Sequence, residues 1–341
     1  MSGTQIRLAI LPFLFLSLFG TAGPSLAAQD PQITEWEVPW EESGPRDPYV
    51  GPDGKVWFVG QRSHYLAYMD PASSEFKRFD LEDGTGPHNV IVDEDGTPWY
   101  AGNLARHIGK LDPMTGGIEK IMMPDERARD PHTLVFDEKG GIWFTVQAGN
   151  FVGHLTIATG KVKLVEMPQT ETRTGLTSSR PYGIKMDGRG NPWIVLFNTN
   201  KIVRVDPETL EVETYELPEG ARPRRLEVTP DQRVWYVDFA RGQLGRLDPS
   251  SGTVREFPTP GGNLSRPYGM ALDHKNRIWF VEGGTQPARF VGFDPASEEF
   301  FSITELESGG GSVRHMVFHP ETFTIWFGTD TNTIGRAIVP R

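Results

Sequence analysis

A seven-bladed β-propeller of four-stranded antiparallel blades is the fold predicted by this sequence, and three observations predict it. Trp57, Trp99, Trp143, Trp193, Trp235, Trp279 and Trp326 are spaced by 42, 44, 50, 42, 44 and 47 residues, the repeat length of propeller blades. Nearly one phrase precedes six of them, as in "PHNVIVDEDGTPWYAG" and "PHTLVFDEKGGIWFTV", with a shorter version, "DPYVGPDGKVWFVG", at the first. Within each unit apolar residues alternate with a period of two, are rich in Val, Ile, Phe, Tyr and Trp, and are broken by turn residues, whereas helical periodicity with caps is lacking.

The elements follow in chain order. Arg7 precedes the apolar run "LAILPFLFLSLFG" and the small-residue stretch "TAGPSLAAQ", the pattern of a cleavable export signal, so residues 1–28 are expected to be removed and residues 29–341 to form one propeller in the periplasm or the medium, free of the membrane after cleavage. The second unit illustrates a blade: a strand from His88 to Val92, the turn "DEDG", a strand from Pro98 to Ala101, then "RHIGKLDP" and "GIEKIMMP" as third and fourth strands. The last unit has strands for "RHMVFH", "TIWFGT" and "TIGRAIV" and then runs out of chain. "QITEWEVP", Gln32 to Pro39, resembles the fourth strands elsewhere and is expected to complete that blade, hiding the edges an open ring would leave.

Composition narrows the function. The chain has no cysteine, which removes thiol catalysis, Cys-ligated zinc and disulfides. Its net charge of -11 argues against nucleic-acid binding, which needs lysine and arginine to displace counterions. A monomer is expected.

The repeated tryptophan is expected to pack between blades, and the "DG" and "GRG" pieces to supply positive-φ turn positions. Residues that vary within this constant frame are the better site candidates. Position zero, after the repeated proline, reads Tyr49, His88, His132, Tyr182, Arg224, Tyr268 and His315. Fourteen residues later stand Gly102, Val146, Leu196, Asp238, Glu282 and Thr329 for units two to seven. The hairpin turn lies midway, so the two positions should be close across the first strand pair, at one mouth of the central channel. Glu282 should then lie near His315 or Tyr268. Arginines gather just before position zero, at Arg46, Arg129, Arg180, Arg222, Arg266 and Arg314, a rim suited to anionic groups. The expected partner is a small molecule, peptide or anionic ligand at the channel mouth, with Tyr182, Arg224, Tyr268, Arg180 and Arg266 as binding residues.

The phrases "RPYGMALDHKNRIWFVE" and "TNTIGR" resemble the streptogramin B lyase, or virginiamycin B lyase, family across nearly the whole exported chain. The resemblance implies a seven-bladed propeller that opens a cyclic depsipeptide at its ester by elimination, with magnesium. It implies a histidine that takes a proton next to the ester carbonyl and a metal, held partly by glutamate, that stabilises the resulting charge. His88 and His132 match the family's two adjacent histidines, with Val146 where the glutamate would stand. Glu282 matches a glutamate, with Tyr268 where its histidine would stand. His132 is the base by family motif and His315 the base adjacent to Glu282; Glu282, with Asp238 as helper, is the candidate metal ligand. A propeller that binds a peptide, glycan or protein without turnover is the alternative, and a calcium-dependent, gluconolactonase-like hydrolase is a third reading.

Overall fold

The computed structural model describes Met1 and residues 30–341; the expected signal otherwise lies outside the described residues. Seven four-stranded antiparallel sheets follow one another along the chain. Blade one is built from Pro45–Val50, Val56–Gly60, Tyr65–Asp70 and Glu75–Asp80, paired in that order. The first strands of successive blades touch one another around the axis, so the first strand of every blade is the innermost. The last blade combines Met316–His319, Thr324–Gly328 and Thr333–Ile338 with Gln32–Glu37, which pairs antiparallel with Thr333–Ile338 over six residues. The N-terminal closure read from the sequence is therefore present.

That closure is held by more than its ladder. Trp36 stacks on Trp326 at 5.7 Å, Val38 N–H donates to the Asn332 carbonyl at 2.9 Å, and the Asn332 amide donates to the carbonyls of Val38 and Trp40, both at 3.0 Å. Glu35 accepts from Ser308 N–H at 3.0 Å and from the Thr333 hydroxyl at 2.9 Å.

The seven repeated tryptophans are all buried. They pack in apolar clusters shared by neighbouring blades; Trp99 of blade two, for example, meets Leu134, Ile142 and Phe144 of blade three. In blades two, four and six the indole N–H donates to an aspartate six residues upstream, Asp93, Asp187 or Asp273, at 2.9 to 3.0 Å, so each buried ring also satisfies its one polar group. The intervening turns use glycine where φ is positive, at Gly54, Gly96, Gly140 and Gly190. The long spacing of 50 residues between Trp143 and Trp193 has a cause that periodicity did not reveal. The connection from blade three to blade four carries an extra hairpin, Thr170–Thr172 paired with Gly175–Thr177.

Candidate functional site

The site begins with a backbone irregularity. In blades one to six the first strand has a register shift against the second strand near its start, between Pro131 and Leu134 in blade three and at the equivalent places elsewhere. A bulge of this kind re-aims side chains. Here it falls at position zero and the residue after it, at the inner end of these six blades.

The structure corrects one member of the ring. Tyr49 pairs with Trp57, just as Ile91 pairs with Trp99 and Val135 with Trp143, and it packs half-buried against the cores of the first blades. The first-blade residue at position zero is Arg46, since Pro45 pairs with Gly60 as Pro87 pairs with Gly102. The proline of "DPYV" invites the wrong alignment; counting back eleven residues from each tryptophan gives the right one.

The other six converge as expected. The rings of His88 and His132 are 3.5 Å apart, and His132 and Tyr182 are 4.2 Å apart. The hydroxyls of Tyr182 and Tyr268 share a hydrogen bond. The Arg224 guanidinium lies over Phe239, Phe197 and Tyr268, at 3.9, 4.1 and 4.4 Å from their ring centroids. Phe197 and Phe239, one residue beyond position fourteen, escaped sequence reasoning. The mouth is thus lopsided: aromatic groups and Arg224 occupy blades four to six, while His315, Arg46, His88 and His132 occupy the rest.

A second tier, also unread in the sequence, lies one residue beyond position zero. Arg225 is buried and reaches across the channel. Its Nε donates to the Arg314 carbonyl at 2.8 Å, Nη1 to the Thr133 hydroxyl at 3.1 Å and Nη2 to Asp47 Oδ2 at 3.3 Å. Asp47 also accepts from Arg46 Nε at 3.3 Å and from the Asn89 amide at 3.2 Å. One carboxylate and one guanidinium therefore tie blades one, two, three, five and seven together.

This tier sets the electrostatics above it. Burial pushes the Asp47 carboxyl up, but Arg46 and Arg225 outweigh it and hold the group well below the usual carboxylate range. Burial, then Arg225, lowers His315 to about 3. Burial also drives His88 and His132 well below the ordinary histidine value, aided by Arg46 and Arg225. All three histidines are neutral at pH 7. Acidification should consequently destabilise the fold: an unfolded histidine takes up a proton near pH 6.5 and the buried one does not, so stability is lost from about pH 6.5 downward, by about 1.4 kcal/mol per pH unit for each histidine. For His315 the loss continues to about pH 3. Melting temperature followed from pH 7.5 to 4.5 checks this, and His315→Gln should flatten the slope.

Both position-fourteen carboxylates are committed elsewhere. Each pairs across the sheet with the proline before position zero, Asp238 with Pro223 and Glu282 with Pro267. Glu282 is fully buried and accepts from Gly261 N–H at 2.7 Å and from Arg289 at 2.7 and 3.0 Å. Asp238 accepts from Arg222 and Ala240 N–H, both at 3.0 Å, and from Arg241 Nε at 2.6 Å. Their oxygens are occupied by arginine and backbone donors, and no group of three or more His, Cys, Asp or Glu among the described residues is placed to hold a metal ion. The donor set at the ring, neutral histidines amid guanidinium groups, does not fit magnesium, which seeks carboxylate oxygen.

The rim arginines divide. Arg314 pairs with Asp330, whereas Arg129, Arg180, Arg222 and Arg266 pair with no carboxylate among the described residues, unlike Arg241 and Arg289 beside them. Two surface clefts of about 320 and 400 Å³ lie between the outer parts of blades four to six, lined by residues such as Arg233, Asp231 and Asp248, and contain no ring residue.

Comparison with known proteins places this geometry in context. The Virginiamycin B lyase family model matches residues 25–176 and 173–339. A streptogramin B lyase structure is 25% identical, with a TM-score of 0.80 over 92% of this chain and 99% of that chain. A catalytically inactive histidine-to-alanine form of virginiamycin B lyase from Staphylococcus aureus, with quinupristin, is 22% identical, with a TM-score of 0.79 over 91% of this chain and 100% of that chain. YCF48 bound to D1 peptide shares the fold at 12% identity, with a TM-score of 0.69 over 94% of this chain and 100% of that chain. No curated protein sequence gives a significant match.

Proposed function

The chain belongs to the virginiamycin B lyase family, and on that premise we propose that it is an exported carbon–oxygen lyase that opens an ester by elimination at the channel mouth, with His315 as the base. The observation that carries this reading is the state of His315. It is the most accessible of the three ring histidines, it is neutral at pH 7, and its Nδ1 has no hydrogen-bond partner. A general base needs a ring nitrogen not already engaged in a hydrogen bond, and Nδ1 of His315 meets that condition.

In the reaction, the histidine takes a proton from a carbon, a carbon–carbon double bond forms to its neighbour, and the carbon–oxygen bond of the ester breaks there, releasing a carboxylate. The guanidinium groups around the ring offer the electrostatic stabilisation for that charge. The family's magnesium chemistry would require carboxylate ligands that Glu282 and Asp238 do not have free, so no step passes through a metal. The His88 and His132 pair, almost fully buried and in tilted ring contact, is better suited to shaping the floor than to moving a proton. In the related enzyme from Staphylococcus aureus, a single histidine-to-alanine form is catalytically inactive.

The test is incubation with a cyclic depsipeptide ester, with and without chelator, followed by mass spectrometry. Elimination yields an isomer of the starting mass, and hydrolysis adds one water. His315→Ala should lower turnover at least 100-fold, within the range general-base catalysis supplies, while His88→Gln retains more activity. Hydrolysis, or unchanged turnover in His315→Ala, defeats the proposal. Binding without turnover is the second reading, favoured by the occupied state of both position-fourteen carboxylates; saturable binding with no product would establish it.

A further inference from the structure

We propose that Arg224 is the anchor for a carboxylate borne on an aromatic or apolar body, which makes the ligand of this mouth an acidic amphipathic molecule. The inference deepens the reading of the mouth as a ligand site and does not depend on turnover.

Unsatisfied polar atoms mark the place. Nine buried side-chain nitrogen or oxygen atoms among the described residues lack a hydrogen-bond partner, and four of them belong to position zero: Arg46 Nη2, His88 Nδ1, Arg224 Nε and His315 Nδ1. Such atoms are costly, and their concentration at one ring makes it the part of the molecule most short of hydrogen-bond partners. The two arginine atoms can only donate, so the missing partner accepts.

Among these, Arg224 is the most fully prepared. Its guanidinium is walled by Phe197, Phe239, Tyr182 and Tyr268, and no carboxylate among the described residues pairs with it. A planar donor fork held between rings presents its edge to a planar carboxylate and its walls to whatever carries that carboxylate. Arg225, by contrast, has already spent its donors on the channel.

The rim gives an independent argument. The residue two before position zero has positive φ in blades one, two, four and six: Gly44 at 59°, Gly86 at 50°, Arg180 at 56° and Arg266 at 48°. Glycine adopts that conformation at no steric cost, and arginine does so only under strain. Blades four and six accept the strain and flank Arg224, with Arg266 5.9 Å from the Phe239 centroid and Arg222 in the blade between. Three unpaired guanidinium groups beside a fourth make the blade four to six side of the mouth a focus for anions on a chain of net charge -11.

The experiment uses 4-fluorobenzoate and its neutral counterpart 4-fluorobenzamide, followed by fluorine NMR line broadening at low salt. Wild type should broaden the benzoate and leave the amide sharp. Arg224→Met, which keeps the aliphatic stem between the rings, should weaken benzoate binding at least tenfold, and Arg224→Lys should weaken it less. Arg180→Ala and Arg266→Ala should each weaken it roughly two- to fivefold, in a salt-dependent manner. The benzoate carries no ester and is followed by binding alone, so failure of the anchor is distinguished from failure of the lyase reading, which is followed by turnover of the depsipeptide. Equal broadening by the amide, no broadening of the benzoate by wild type, or unchanged binding in a folded Arg224→Met variant would each overturn the proposal.

Discussion

Deleting residues 30–39 is expected to cost about 5 kcal/mol or more, lowering the melting temperature by roughly 10 °C at the few degrees per kcal/mol expected for a chain of this size. The deletion removes a six-residue ladder against Thr333–Ile338, the Trp36–Trp326 stack and the bonds from Asn332 and Glu35. It also leaves the long strand edge of Thr333–Ile338 open to other chains, so aggregation should accompany the loss. Trp36→Ala should produce a smaller drop, and a synthetic peptide spanning Gln32 to Val38 should restore part of the stability when added to the truncated protein. Calorimetry checks all three; a truncated protein that melts with wild type removes the closure from the account of stability.

Asp47→Asn should destabilise by about 3–5 kcal/mol, because it removes the carboxylate that pairs with both Arg46 and Arg225 and leaves two buried guanidinium groups without it. The double variant Asp47→Asn with Arg225→Met should recover part of the loss, since it removes one of the two guanidinium groups left uncompensated and leaves only Arg46. Asparagine is the suitable substitute because Asp47 has φ of 49°, a conformation it tolerates. Chemical denaturation of the two single variants and the double gives the coupling directly. A double variant less stable than Asp47→Asn would show that the pair does not act as a unit. The charge term has a pH signature too. The Asp47 pKa is depressed by folding, so its contribution is present above the unfolded value near 4 and fades as pH falls below it.

The fold was legible because a propeller writes its period into side chains that cannot be moved: a tryptophan that must fit between two blades fixes the repeat, and an unpaired last strand demands a partner. The site was legible only in outline. His88, His132, Tyr182, Arg224, Tyr268 and His315 share a place in the repeat and share one in space. Tyr49 does not, because a proline–tyrosine pair three residues late imitated the phrase while Arg46 held the true place. The tier of Asp47, Asn89, Thr133 and Arg225 was invisible for a different reason. Its members have no common chemistry, and only the bulge shows that the residue after position zero also turns inward. Glu282 and Asp238 misled in a third way. Spacing located their backbone correctly, but the partners Arg289 and Arg241, seven and three residues further along the same blade, decide where the carboxylates point.

The pairing of Gln32–Glu37 with Thr333–Ile338 also governs when the molecule can finish folding. These strands are about 300 residues apart in the chain, the greatest sequence separation of any strand pair in the protein, and loop-closure entropy makes such contacts late and slow. Six blades can form locally as they are synthesised, yet the ring has no latch until its final strand has left the ribosome. A polypeptide built this way keeps an incomplete, easily unravelled arc for most of its synthesis.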